Sequence, residues 1–343
     1  MTYPYFTKGL SDRPSTPARE IATLDRAQMD DAANYVVPEG LSHAVNVALT
    51  LGMPLLVTGE PGCGKTQLAF ALAHELQAEP VLKFETKSTS AARDLFYTFD
   101  ALTAFKVREA YDPRHFIEYG PLGRAILEAF AADHPGIRAF LPGGDAPAFK
   151  HNGPRRSVVL IDEVDKAPRD FPNDLLNEIE RLYFRVPELR NIGTPGADSG
   201  RIEIPPKLRP IIIVTSNSEK NLPEPFLRRC IYYHIDFPAQ ADMERIVAMR
   251  VAGLAEGSTL LASAVRFFYD LRSQTASGIQ FDRMPSTAEF INWLQILMIR
   301  DAKPGDDLQA LAPLVLETIT TLGKTSDDQK AILTFATNTL KGK

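Results

Sequence analysis

The apolar positions of this chain fall into two patterns that change over near residue 238. Before it, short runs of β-branched and other apolar residues stand out at 54–58 (PLLVT), 158–161 (VVLI) and 211–215 (IIIVT), with a weaker one at 81–84. Each is bounded by Gly, Pro or charge, as expected of strands buried on both faces of a parallel sheet. Helical periodicity lies between them at 65–76, 122–132 and 175–182. Alternating strand and helix predict a doubly wound α/β core. After residue 238 only helical segments remain, at 242–251, 262–272, 308–322 and 326–340. A further helix over 290–299 opens on Ser286 and Glu289, spaced as a capping box. Gly323 and Gly342 stand where helices would stop.

The predicted organisation is a poorly ordered lead-in over 1–34, an α/β core over 35–238 and a small all-α domain over 239–343. Composition adds little to that picture. Hydrophobic residues are 44% and charged residues 24% of 343, ordinary for a globular protein. No apolar run is long enough to span a membrane, and the first twenty residues carry no apolar stretch of the signal-peptide kind. The only cysteines, Cys63 and Cys230, cannot form a disulfide framework, so a cytoplasmic setting is expected. The net charge of −5 argues against a general nucleic-acid binder, although a local basic patch remains compatible with it. No zinc-ligand spacing and no G-x-S-x-G motif occur. Phe267, Phe268 and Tyr269 fall within an apolar helical pattern and read as core.

The candidate chemistry starts at Gly59-Glu60-Pro61-Gly62-Cys63-Gly64-Lys65-Thr66, which satisfies G-x-x-x-x-G-K-[ST] between a predicted strand and a predicted helix. Glycines let the backbone curl so that its N–H groups point at phosphate oxygens, and the helix start adds its positive dipole end. Lys65 would reach the β- and γ-phosphates, and the Thr66 hydroxyl would sit on Mg²⁺. Cys63 reads as a small loop filler whose thiol a helix N-terminus would acidify. The 158–161 run ends in Asp162-Glu163. Strand ends carry ligands in such sheets, so Asp162 would hold Mg²⁺ and Glu163 would polarise a water. A strand ending in solvated charge is the plainer alternative. Asn217 follows the third run; it could orient the same water, or simply turn the chain.

This order of features resembles an AAA+ ATPase, and more narrowly the MoxR group of the helix-2-insert clade. The stretch Tyr35-Val36-Val37-Pro38-Glu39, with Ala44 to Leu49 and Leu55 to Gly62, is similar to the MoxR approach to the nucleotide site. Ser216-Asn217-Ser218 and Leu222 to Arg229 resemble the segment from sensor 1 to the arginine finger. The resemblance covers about residues 35–300. It implies a P-loop NTPase AAA+ core with a parallel sheet and a small all-α lid. It implies ATP and Mg²⁺ as ligands, with Val36 and Val37 against the adenine and Gly59, Pro61, Gly62, Cys63, Gly64, Lys65, Thr66 and Gln67 around the phosphates. Thr66 and Asp162 take the metal, Glu163 and Asn217 serve catalysis, and Arg229, with Arg228 beside it, serves a neighbour's site in a ring, expected to be a hexamer. Two hairpin insertions are expected, at about 103–120, with alternating arms over 105–111 and 116–120, and at about 184–205; in relatives they project towards a central pore, and ordinary surface hairpins are the plainer alternative. One departure is the lid helix start, where Thr287 stands in place of a sensor-2 arginine; Arg283 either substitutes or is a solvated loop cation. The implied function is ATP-driven remodelling of a partner protein, in relatives often one with a von Willebrand factor A-type domain. A nucleic-acid-stimulated motor or restriction component is the alternative, and a slow nucleotide switch a third reading that the intact Glu163 disfavours.

Overall fold

The computed structural model describes residues 32–107, 112–138, 140–141, 151, 153–189, 201–218, 222–273 and 281–340. The lead-in over 1–31, the middle of each expected hairpin and Gly342 lie outside the described residues. The chain divides into two compact units, one running from Val37 to Phe237 and the other taking residues up to Val36 and from Pro238 onward.

In chain order the first unit contains α1 (Glu39–Leu51), β1 (Leu55–Gly59), α2 (Lys65–Glu75), β2 (Leu82–Glu85), β3 (Tyr97–Phe99), α3 (Ala101–Lys106), β4 (Ile117–Tyr119) and α4 (Pro121–Leu127). It continues with β5 (Val158–Asp162), α5 (Phe171–Arg181), β6 (Tyr183–Arg185), β7 (Arg201–Glu203), β8 (Ile211–Ser216), α6 (Glu224–Leu227) and β9 (Ile231–Ile235). One-turn and 3₁₀ pieces connect several of these. Five strands form a parallel sheet in the order β2-β5-β8-β1-β9. Every residue of β1 and β5 is buried. Helices therefore cover both faces, which is why those strands read as unbroken apolar runs. The expected α/β core is present, with a helical region after it.

Register sets the chemistry. Thr58 lies level with Ser216, Ile161 with Val214, and Glu85 with Asp162. The apolar runs therefore end together, and their first polar residues form a row along one edge of the sheet. Gly59 opens the loop at that edge with φ 151°, and a Cβ there would lie 2.7 Å from the Ile235 carbonyl oxygen. Only glycine fits so close to a neighbouring backbone.

Two small antiparallel pairs stand apart from the sheet. β6 pairs with β7, Tyr183 opposite Glu203 and Arg185 opposite Arg201. In the other, the expected arm over 105–111 is not a strand as far as it is described. Residues 101–106 form α3, and the strand opposite Ile117–Tyr119 is the upstream Tyr97–Phe99. The cause is local: the Asp100 carboxylate accepts the Thr103 N–H at 2.9 Å, an N-cap that starts a helix inside what alternates like a strand. Phe184 of β6 joins the two pairs, with ring centroids 5.5 Å from Phe96, 6.3 Å from Tyr97 and 6.2 Å from Tyr119. Tyr97 also donates to Glu188 at 3.2 Å.

The second unit holds α7 (Gln240–Arg250), α8 (Thr259–Arg272), α9 (Thr287–Ile299), α10 (Ala312–Thr318) and α11 (Ser326–Leu340). The capping box forms, with Ser286 N–H donating to Glu289 at 2.7 Å and Glu289 N–H to the Ser286 hydroxyl at 3.4 Å. Phe268 stacks on Phe290 at 4.2 Å, and the fully buried Trp293 donates its indole N–H to Thr318 at 3.1 Å. The helix expected over 308–322 is shorter. It starts at Ala312, because Pro313 is suited to a first turn and not to a helix interior, and it ends in a 3₁₀ turn at Leu322.

Candidate phosphate site

The loop after β1 curls as its glycines predict. Gly59, Gly62 and Gly64 all have positive φ, and Gly64 is the left-handed residue from which α2 starts. Lys65, 7% exposed, folds its ammonium over this loop and donates to the Gly59 carbonyl at 2.8 Å and the Glu60 carbonyl at 2.9 Å. No carboxylate pairs with it among the described residues. Cys63 Sγ lies 3.9 Å from the same ammonium. Burial pushes the Cys63 thiol up, and the charge of Lys65 only partly offsets this. The acidified thiol expected from the helix start is therefore not found, because desolvation outweighs the helix end.

Thr66 and Asp162, far apart in sequence, meet directly. The Thr66 hydroxyl donates to Asp162 Oδ1 at 3.0 Å. Thr215 of β8 donates to the same oxygen at 2.7 Å and accepts the Glu163 N–H at 2.9 Å. On the other side Lys83 of β2 lies 3.0 Å from Asp162 Oδ2 and 2.9 Å from Glu85. Burial alone would raise the Asp162 carboxyl, yet hydrogen bonds from Thr215, Lys83 and Thr66 outweigh it and hold the group below its ordinary value. Lys83 is itself raised: burial opposes its charge, and its bonds to Glu85 and Asp162 win. Neither Thr215 nor Lys83 was singled out by sequence. Thr215 is an ordinary strand residue until register sets it beside Asp162, and Lys83 alternates like a solvated edge position.

Glu163 leaves the strand in a left-handed conformation, φ 57°, unusual for a side chain of this type. Its carboxylate pairs with Lys166, three residues on. Asn217 follows β8, and its N–H donates to Asp165 at 3.1 Å. Asp165 thus joins the set as a residue the motif did not name.

The sequence model described as an AAA domain of the dynein-related subfamily matches residues 54–230, more than half of the chain. The chain belongs to this family. Among solved structures, this AAA domain protein is similar to NtrX from Brucella abortus in complex with ATP, at 15% identity and TM-score 0.43, over 81% of this chain and 53% of that one. It is also similar to the RuvB Holliday junction branch migration motor of Thermotoga maritima, at 16% identity and TM-score 0.39, over 82% of this chain and 74% of that one. The chain spans about half the length of NtrX. No curated protein sequence matches it.

The remaining candidate residues come from segments other than the strand ends. Arg228 pairs with Glu224 one helical turn back, and Arg229 pairs with Glu180 of α5 at 2.9 Å. Both guanidinium groups are more than half exposed. Val36 is half-buried and Val37 is 42% exposed in the segment before α1, and the unit boundary falls between them. Gln67 lies in the first turn of α2. Arg283, at the edge of the described residues, donates its backbone N–H to the buried Asp328 at 3.3 Å. No helix among the described residues is long and apolar enough to cross a membrane.

Proposed function

We propose that this protein binds and hydrolyses ATP with Mg²⁺, as a ring oligomer, hexameric by the MoxR resemblance, that remodels or activates a partner protein in the cytoplasm. The observation that carries the nucleotide reading is Lys65. A buried ammonium surrounded by carbonyls, with no carboxylate partner among the described residues, sits at the start of an α-helix in a glycine loop. Such a charge is costly unless an anion neutralises it, and phosphate is the anion the loop geometry fits. The metal reading is supported by Thr66. Its hydrogen is already committed to Asp162, which leaves the hydroxyl lone pairs free to face a divalent cation.

In this reading Lys65 exchanges its carbonyl partners for β- and γ-phosphate oxygens, and Thr66 and Asp162 hold Mg²⁺. The cation supplies charge neutralisation to the transferring phosphoryl group. Glu163 polarises the attacking water once its carboxylate is free of Lys166, and Asn217, at the adjacent strand end, orients that water. Arg229, half exposed and paired with Glu180, serves the next subunit. Arg228 flanks it, and Val36 and Val37 line the adenine side. The partner protein, of von Willebrand factor A type in the resembling group, would meet the two hairpins.

Calorimetry with ATP and Mg²⁺ tests the core of this. Lys65→Ala is expected to abolish binding, while Glu163→Gln binds ATP at wild-type affinity and leaves it unhydrolysed. Unchanged affinity in the first variant, or wild-type turnover in the second, would sink the assignment.

A further inference from the structure

The cation beside Asp162 has no place in the motif that predicted the rest of the site. β2 is an edge strand of the sheet, and its Glu85 lies level with Asp162. Lys83, two residues earlier, is therefore on the same face as Glu85, and its chain reaches forward to both carboxylates, 2.9 Å from Glu85 and 3.0 Å from Asp162. The surroundings are unequal. Asp162 is 12% exposed and takes two hydroxyl donors on its other oxygen, whereas Glu85 is 71% exposed. The ammonium can thus leave Asp162 and keep a partner. A lysine suits this exchange, being a mobile point charge on a flexible stem.

We propose that Lys83 is a positioning residue that sets how strongly Asp162 engages a divalent cation, weakening metal binding until nucleotide phosphates share the load. This rests on the reading of the phosphate loop given above. The ammonium neutralises Oδ2, and as a like charge it repels a metal held at Thr66 and Asp162. A divalent ion alone must overcome both effects. One that arrives with phosphate oxygens has further ligands, and Lys83 then retreats to Glu85.

Mn²⁺ alone, titrated into the nucleotide-free full chain and followed by the electron paramagnetic resonance of the free ion, measures this directly. Wild type is expected to bind Mn²⁺ weakly. Lys83→Met should bind it on the order of tenfold more tightly, one unit charge at short range in a partly solvated site being worth about that much. Lys83→Gln should follow Met and carries the test if the more apolar variant fails to fold. Lys83→Arg, which restores the charge, should return to wild type; a merely structural lysine would not give that pattern. Repeating the titration with ADP should narrow the gap between Met and wild type. Equal or weaker Mn²⁺ binding by both neutral variants overturns the proposal, as does an arginine variant that behaves like them. If wild type binds ADP under no condition, the phosphate-loop reading fails and the proposal falls with it; normal ADP binding with no effect of Lys83 removes the proposal alone.

Discussion

Both the sheet unit and the helical unit are built on buried apolar side chains, but they differ in where their polar groups go. In the sheet unit, polar groups meet at one edge because strand register sets them level, and the candidate site is a by-product of that alignment. Asp162, Thr215 and Thr66 come from three separate segments and share one carboxylate oxygen. In the helical unit the centre is aromatic. Phe267, Phe268, Phe290 and Trp293 pack ring on ring, and polar bonds around them close a helix start, satisfy the buried indole and tie residues 282–283 to Asp328. A hydrogen-bonded row fixes positions and allows little substitution. An aromatic core supplies stability through area and shape, and tells little about chemistry.

The largest test of that contrast is Trp293→Ala. Removing the fully buried indole should cost about 3–5 kcal/mol and leave the Thr318 hydroxyl without its donor. Hydrogen exchange should show lost protection over α7–α11 with the sheet strands still protected. Equal loss in β1, β5 and β8 would mean that the two units unfold as one, and the contrast would fail. Trp293 is the chain's single tryptophan, so tryptophan fluorescence excited selectively reports on the helical unit.

Thr215→Val tests the other side. The substitution keeps the shape but removes the donor to Asp162 and the acceptor for Glu163 N–H. With a charged partner the loss should be about 2 kcal/mol, read as a lower urea midpoint, with faster exchange at the Glu163 amide. An unchanged midpoint would show that the row of strand ends is held by the sheet alone.

The smallest effect belongs to Tyr97→Phe, which cuts the bond between the two hairpins at Glu188. Burial, then the charge of Glu188 and its hydrogen bond, push the Tyr97 phenol up to about 12 from its ordinary 10. A folded value above the unfolded one means a stabilising contribution that is complete below pH ~10 and lost as pH rises through about 12. The variant should lose roughly 1 kcal/mol at neutral pH and show a shallower fall in stability across that window. Parallel wild-type and variant curves would show that Phe184 alone joins the hairpins.

Much of the fold was legible because the signals are local. A buried parallel strand needs an unbroken apolar run, and β1, β5 and β8 supply it within a residue or two of where sequence places them. The glycine loop before α2 was legible because glycine spacing and the following helix are contiguous. Residues 105–107 are not the start of a strand because alternation over so few residues does not exclude a capped helical turn, and Asp100 supplies the cap; 108–111 lie outside the described residues. The helix over 308–322 was overextended because apolar periodicity ran through Pro313 without regard for where a proline can sit.

By itself the sequence determined an α/β core with a glycine loop carrying a lysine, an acidic pair at a strand end and a helical tail. These are contiguous patterns whose geometry follows from backbone periodicity and side-chain type. Tertiary structure alone decided that Thr215 and Thr66 share one oxygen of Asp162, that Lys83 holds the other, and that Arg229 rests on Glu180. Each of those contacts joins residues far apart in the chain through parallel register or helix packing. A one-residue slip of a strand would send its side chain to the opposite face of the sheet, so no local pattern encodes them.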